Sequence, residues 1–342
     1  MKFEEAARTE MARNAVFISG TRRRPLLLAA LAAVVAAPLT QALAQAGNWP
    51  AKPITFVVPQ APGGANDVIA RAVAQGLENS LGQPVIVENR AGANGNLGTG
   101  QVARSAADGY TFLVTAQSAY TINPALYSKV PFDPIKDFTA VMQLAVAPYL
   151  LVVNPNFPAR NLDELVAYAK AHPGKVEYAS AGNGTLNHLL GEMLKKQKNV
   201  SLLHVPYKGA SAAATDVVAG QLPVTFGSFP GVMPFVSSGK LRVLGVASDR
   251  PTSLAPEIPV LGKGLAVTSW YGLFAPAGTP QPVVDTLYQT VKTVLARPEM
   301  AERLKTLGAE RVESTPQSFK AMLPAELAYW KQVVKDSGAH ID

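Results

Sequence analysis

Two short glycine-rich segments hold the residues best suited to binding chemistry. They are Gln60, Ala61, Pro62, Gly63, Gly64, Ala65, Asn66 and Asp67, and then Ser180, Ala181, Gly182, Asn183, Gly184, Thr185 and, three residues on, His188. Each follows an apolar run of strand length, 54–58 in one case and 176–180 in the other, and each opens an amphipathic run. Ile69, Val73, Leu77 and Leu81 recur every fourth residue after the first turn; Leu186, Leu189, Leu190, Met193 and Leu194 mark a helical face after the second. A strand that enters a helix through glycines leaves backbone N–H groups unpaired at the turn, with the positive end of the helix dipole behind them. Such a turn favours an anionic or strongly polar ligand. Asn66 or Asp67 is expected to cap the first helix and Gly82 to end it. Arg71, one turn beyond Asp67, is placed for an i, i+4 ion pair.

Further polar candidates stand where other strands end. Gln117 and Ser118 follow the apolar run 110–115, Tyr207 and Lys208 close the run that begins at Leu202, and Ser228 follows Phe226 and Gly227. His188 can reach a cleft or pair with Glu192; His204, within an apolar strand, reads as a core or edge residue; Trp270 can cover a ligand or pack a hinge.

Catalytic patterns fail residue by residue. Ser180 sits in Tyr178-Ala-Ser-Ala-Gly182, where a nucleophile elbow needs glycine in place of Tyr178. The histidines at 172, 188, 204 and 340 form no H-E-x-x-H, so no metal site is expected. The absence of cysteine excludes disulfides, thiol catalysis and thiolate metal sites. Gly92, Gly95 and Gly98 have the spacing G-x-x-G-x-x-G rather than the dinucleotide G-x-G-x-x-G, and no cofactor is expected.

The 342 residues suffice for two domains, and 48% apolar with 16% charged residues describes a well-packed globular chain. Of the formal charge of +7, the first 24 residues supply +3, from six basic against three acidic side chains; no long basic run follows, and a nucleic-acid partner is not expected. Arg22, Arg23 and Arg24 precede the apolar segment 26–39 and then Ala42-Leu43-Ala44, the order of a signal peptide with its cleavage site. Residues 1–44 are therefore read as an export leader, since the apolar segment is short for a bilayer span of roughly 20 residues. The Thr21-Arg-Arg-Arg-Pro-Leu stretch resembles a twin-arginine signal, with Pro25 where a bulky apolar residue is usual, and either export route fits it.

The mature chain alternates strands and helices, which predicts a parallel sheet covered by helices, with ligands at the carboxyl ends of its strands. The long apolar stretch 141–153 suits a strand leaving one domain for another, and 270–275 is the candidate for the return. Asn161 with Glu164 three residues on marks the start of a helix.

Several ordered motifs resemble one family. They include Pro-Gly-Gly-x-x-Asp-x-x-Ala-Arg at 62–71, Val-Glu-Asn-Arg-Ala-Gly-Ala-Asn-Gly at 87–95, Ala-Gly-Asn-Gly-Thr-Leu-Asn-His-Leu at 181–189, His-Val-Pro-Tyr-Lys-Gly at 204–209 and Phe-Ala-Pro-Ala-Gly-Thr-Pro at 274–280. From about Trp49 to the C-terminus the chain is similar to the Bug family, the extracytoplasmic solute receptors of tripartite tricarboxylate transporters. The resemblance implies a type II periplasmic-binding-protein fold of the α/β class: two lobes, two crossover strands and a ligand between them. With it come the expected boundaries, 45–144 plus 271–342 for one lobe and 145–270 for the other. It also implies a small carboxylate ligand held by backbone amides, hydroxyls and ordered water, a membrane permease as partner, a periplasmic location and a monomer. Gly227-Ser228 departs from the Asp-Asn frequent in the family at that place, so the chemistry of the distal end of the ligand is particular to this chain. A receptor serving a membrane sensor kinase would use the same cleft, and a periplasmic hydrolase is the remaining alternative.

Overall fold

The protein is described by a computed structural model that covers residues 49–339 and Ile341; the expected export leader lies outside the described residues. The order of elements begins with strand β1 (Ile54–Val58), helix α1 (Ala65–Leu81), strand β2 (Val85–Asn89), helix α2 (Asn96–Ala103) and strand β3 (Thr111–Ala116). β1 pairs in parallel with both β2 and β3, as β-branched runs joined by right-sized helical crossovers should. A single π-helical turn, Ser118–Ile122, then leads into the short helix α3 (Asn123–Leu126).

The long strand β4 (Phe138–Val153) comes next, followed by α4 (Leu162–Ala171), β5 (Val176–Ser180), α5 (Leu186–Lys198), β6 (Leu202–Pro206) and α6 (Ala210–Val218). After these come β7 (Val224–Ser228), α7 (Phe229–Ser237), β8 (Arg242–Val246) and β9 (Thr268–Pro276), and the chain closes with α8 (Gln281–Leu295), α9 (Pro298–Thr306) and α10 (Pro316–Ser337). The strands run in the order β2-β1-β3-β9-β4-β7-β5-β6, with β8 also on β4. β4 makes this continuity possible. Its first part pairs antiparallel with β9, from Phe138↔Pro276 to Pro148↔Thr268, and its last five residues pair antiparallel with β7 and β8. Register shifts between Ala140 and Met142, between Gln143 and Ala145, and between Leu151 and Val152 bend it on the way, the expected effect of extra residues in one strand of a ladder. The two crossover strands anticipated from 141–153 and 270–275 are thus β4 and β9, each somewhat longer than its apolar run.

Apolar packing follows the same division for the most part, although Ile122 and Leu126, which follow β3, join the core of the other side. Tyr120 stacks on Phe274 with ring centroids 4.1 Å apart, and Trp270, Phe138 and Phe319 complete an aromatic core on the β1-β3 side. Leu189, Leu190, Leu194, Tyr178, Leu151 and Phe226 form the core on the other side. α10 belongs to both: Phe319 and Leu323 enter the first core, while Trp330 and Val334 enter the second, and Lys196 of α5 pairs with Asp336 at 2.5 Å. The expectation placed everything after 271 in one lobe. A helix of 22 residues is about 33 Å long, enough to reach from one core to the other, and its buried residues Phe319, Leu323, Trp330 and Val334 are spread along it.

Candidate functional site

Strand direction decides which groups face one another. β3 is antiparallel to β9 and β9 to β4, so β1 and β3 run the same way as β4; β7 is antiparallel to β4, and β5 and β6 are parallel to β7. The carboxyl ends of the two parallel sets therefore point toward each other. The end of β3, Ala116, lies opposite Tyr271, which lies opposite Ala145 of β4; the end of β7, Ser228, lies opposite Tyr149 of β4. From Ala145 to Tyr149 is four strand residues, roughly 13 Å along the sheet. Gln60 to Asn66, Gln117 and Ser118 stand at or just after the ends of β1 and β3, and Gly182 to Thr185, Tyr207 and Ser228 at or just after the ends of β5, β6 and β7.

The first turn is built around Asp67. α1 begins at Ala65 with Gly64 as its N-cap in extended conformation, without a side-chain cap, so neither Asn66 nor Asp67 caps it as expected. Asp67 instead sits one turn inside, 3% exposed, and accepts from the amide of Gly63 (2.9 Å), from Asn89 Nδ2 (2.9 Å) and from Arg71 Nε (3.1 Å). Burial by itself raises this carboxyl, but the bonds from Arg71, Gly63 and Asn89 and the charge of Arg71 hold it below its ordinary 3.8. Arg71 also reaches Asn89 Oδ1 at 2.8 Å, so its role is structural. The Gly63 amide is consequently occupied within the turn, and the φ of +80° there is the reason for glycine. Gly64 has an ordinary φ of −74°, and its amide and those of Ala65, Asn66 and Asp67 have no acceptor within the helix. Gln60 carries Asn66 on its Oε1 and Asn89 on its carbonyl, and Ala61 is exposed beside it.

The second turn uses neutral groups for the same purpose. Gly182 donates its amide to Ser180 Oγ (3.1 Å), Gly184 donates to His188 Nδ1 (3.0 Å), and the Thr185 hydroxyl donates to the carbonyl of Gly182 (2.7 Å). Two of the glycine amides expected at a ligand are thus turned inward, because side chains from β5 and α5 close the turn on itself. Thr185 is the N-cap of α5, without a side-chain cap bond, and Asn183 is exposed at the tip. Accepting from Gly184 requires His188 to be neutral with its proton on Nε2, which faces Glu192 at 3.8 Å. Burial lowers His188 below its usual range, against the pull of Glu192, whose carboxylate also accepts from the Tyr178 hydroxyl (2.7 Å) and pairs with Lys195. The ring of His188 stacks on His204 with centroids 3.9 Å apart, and His204 Nε2 meets Ser180 Oγ at 2.6 Å. Burial, with the neighbouring His188, pushes His204 down to about 4. Of the two readings of His188, the structure shows the pairing with Glu192, within a cluster that also holds His204 and Tyr178.

The remaining expectations divide similarly. Tyr207 donates its hydroxyl to Asp216 Oδ2 of α6 at 2.7 Å, a bond that, with some desolvation, pushes it up to about 12. Ser228 is the N-cap of α7 and, with Asn187, Ser211 and Thr225, lines a small cavity of about 50 Å³. Trp270 is 2% exposed within the aromatic core and packs the crossover. Ser118 opens the π-helical turn and is half-buried. Gln117 is 4% exposed, with Nε2 on the carboxylate of Glu326.

Two residues escaped sequence reasoning. Asn187, 5% exposed, donates to the carbonyl of Phe226 at 2.6 Å and ties α5 to the end of β7. Glu326 of α10 also receives both Trp270 Nε1 bonds, at 2.9 and 2.8 Å, and Trp330 Nε1 at 3.3 Å; burial raises its carboxyl, while Gln117, Trp270, Trp330 and Thr121 oppose this. The sequence carried a signal for it: Glu326 occupies a position of the buried stripe Phe319, Leu323, Trp330, Val334, where an acid is out of place.

Residues 69–339 match the family described as tripartite tricarboxylate transporter family receptor. The chain is 37% identical over 319 residues to a protein encoded in the tcbD-tcbE intergenic region of Pseudomonas sp. (strain P51), covering 92% of this chain and 94% of that one. It is 33% identical over 320 residues to BugT of Bordetella pertussis, covering 92% and 98%. Among solved structures it is similar to an R. palustris protein with adipate (TM-score 0.77, 32% identity, 85% and 99% covered) and to periplasmic binding protein BugD (0.73, 34%, 85% and 99%). MatC of Rhodopseudomonas palustris with bound malate is a further neighbour (0.71, 31%, 84% and 100%). These are binding proteins rather than enzymes, built on the type II periplasmic-binding-protein fold, in agreement with the facing strand ends and the two crossover strands described above. The chain belongs to the tripartite tricarboxylate transporter receptor family.

Proposed function

We propose that the mature protein is a periplasmic receptor that encloses a small carboxylate between two lobes and delivers it to a membrane permease. The observation that carries this reading is the opposition of the two sets of strand ends, each followed by a helix whose first-turn amides lack intrahelical acceptors. A carboxylate at the α1 end accepts from the amides of Gly64 to Asn66, beside Gln60, Ala61, Gln117 and Ser118. At the α5 end Asn183, Thr185 and the amides of the first turn, with Ser228 and Tyr207 alongside, receive the rest of the solute. Gly63, Gly182, Gly184 and His188 shape the two turns. The adipate and malate held by the structural neighbours support a solute of this class.

In this reading the lobes are 45–144 plus 271–342 and 145–270, with the second half of α10 strapped across to the latter; residues 1–44 direct export, and the receptor acts as a monomer. Ligand-free, refolded protein screened by thermal shift against carboxylates, amino acids and small aromatic acids tests the function. A ligand at 100 times its Kd adds about 2.7 kcal/mol of stability. A screen without any shift, or turnover of a solute, would sink the receptor reading. Co-purification with a permease, rather than with a kinase ectodomain, is the expected partner result.

A further inference from the structure

A cavity of about 410 Å³ lies away from the facing strand ends, between the first half of α10 and the loop that leads into β4. Tyr120, Phe138 and Leu323, all buried, form its inner wall, while Ile135, Lys320 and Ala321 form an exposed rim through which a solute can enter. On β4, Phe138 stands seven residues before Ala145, roughly 23 Å along the strand from the interval that the strand ends face. None of the residues proposed above to contact the carboxylate lines this cavity.

Its walls are fixed before anything binds. The Tyr120 hydroxyl donates to the carbonyl of Pro134 at 2.6 Å, and the Tyr120 ring stacks on Phe274. Asp133 accepts from the amides of Ile135 and Lys136 at 2.9 and 3.1 Å, and Asp137 accepts from that of Asp133 at 2.7 Å, so the loop is closed on itself. A recess held open in this way takes a ligand with little ordering cost. The charge at its rim has one sign. No acid lines the cavity, and the carboxylates of the loop are taken up by those amides, Asp133 also by Lys136 at 3.5 Å. Lys320 is exposed and has no carboxylate partner among the described residues, and Gln317, one turn before it, adds an amide donor.

An apolar cavity of about 150 Å³ suffices for benzene. At about 410 Å³, mostly apolar with a few polar groups at its edge, this one has the size and character of a small-molecule site. We infer that it is a second binding site, for a monoanionic amphiphile: an apolar body larger than one benzene ring lies against Tyr120, Phe138 and Leu323, and the anionic head meets Lys320. The inference stands apart from the receptor reading, since it uses other residues.

The test is calorimetric titration of refolded protein with 2-naphthoate, with decanoate and with 2-naphthylmethanol, which lacks the charge. At least one of the two acids should bind, the tighter of them showing whether the cavity prefers rings or chains. The alcohol should bind at least about threefold more weakly than 2-naphthoate. Ala321→Trp sets an indole in the rim and should weaken the tighter acid at least about tenfold, whereas Ala321→Ser, which adds little bulk, should bind like the unaltered protein. Lys320→Glu should weaken that acid at least about threefold and leave the alcohol unchanged, and it decides the matter if the tryptophan variant fails to fold by circular dichroism. Binding of neither acid overturns the inference. So does an affinity untouched by Ala321→Trp in a folded protein, which would assign the acid to the facing strand ends, or one untouched by Lys320→Glu. A thermal shift from a small carboxylate that persists in Ala321→Trp belongs to the receptor reading and leaves it standing whatever the amphiphiles do.

Discussion

The turns that open α1 and α5 use one backbone device and close it with different chemistry. In the first, the glycine amide is held by a carboxylate, Asp67, itself anchored by Arg71 and Asn89; in the second, the corresponding amides are held by a hydroxyl and a neutral imidazole. Their surroundings differ as well. A Cβ at Gly63 would meet nothing within 4 Å, whereas one at Gly184 would meet Leu126 at 2.7 and 2.8 Å and Ile341 at 3.2 Å. The same motif is therefore an open loop tied by charge in one place and a packed, uncharged corner in the other. Charge ties a turn that packing cannot brace. Where packing is dense, neutral bonds suffice and avoid the cost of a buried ion.

The largest expected effect is at Gly184. Its φ of +73° and the contact with Leu126, which is 3% exposed and has nowhere to move, predict that Gly184→Val destabilises by about 3 kcal/mol or more. Gly63→Val meets only the backbone penalty, about 1–2 kcal/mol. Urea unfolding of both decides the matter; equal losses would mean that packing does not distinguish the two turns.

Asp67→Asn comes next, at about 2 kcal/mol, because it weakens three bonds to a buried carboxylate. Its mark should be a loss near neutral pH that disappears in acid, measured by the same unfolding curves.

The two turns should also fail in different pH windows. Asp67 lies below its ordinary 3.8 in the folded protein, so its contribution is present above that pH and is lost only as pH falls through the lower folded value. His188 and His204 are depressed from 6.5, His204 to about 4. The unfolded chain therefore binds more protons between these values. Stability should be full above 6.5 and decline as pH falls toward 4, and protonating His188 Nδ1 removes the bond from Gly184. His204→Gln should flatten this upper window and leave the lower one, followed by melting temperature across pH. An unchanged slope would detach the histidine pair from the second turn.

The smallest effect is expected for Lys208→Ala. Lys208 is exposed, so stability should change by under about 0.5 kcal/mol, and affinity for any carboxylate found should hardly move. A loss of binding of several kcal/mol would replace the amide site with a charge clamp on the second-turn side.

Much was legible in the chain before folding. Alternating β-branched runs and amphipathic faces marked β1, α1, β5 and α5, and the apolar runs at 141–153 and 270–275 marked β4 and β9, because local periodicity reports which face is buried. The glycine turns were equally visible, since positive φ selects glycine at Gly63, Gly182 and Gly184. Which way their amides point was not. That depends on Asp67 reaching back four residues, on His188 doing likewise, and on Ser180 being held by His204 from a different strand.

Residue types and their order thus determined the class of fold, the position of the turns, the family and the absence of catalytic patterns. Tertiary structure alone decided that α10 crosses both cores and that Glu326 gathers Gln117, Trp270 and Trp330. Periodicity is a property of neighbours along the chain, whereas the partners of Glu326 at 117 and 270 are 209 and 56 residues away from it. A hydrogen-bond donor brought from such a distance leaves no imprint on local spacing, and its direction exists only once the strands that carry it have paired.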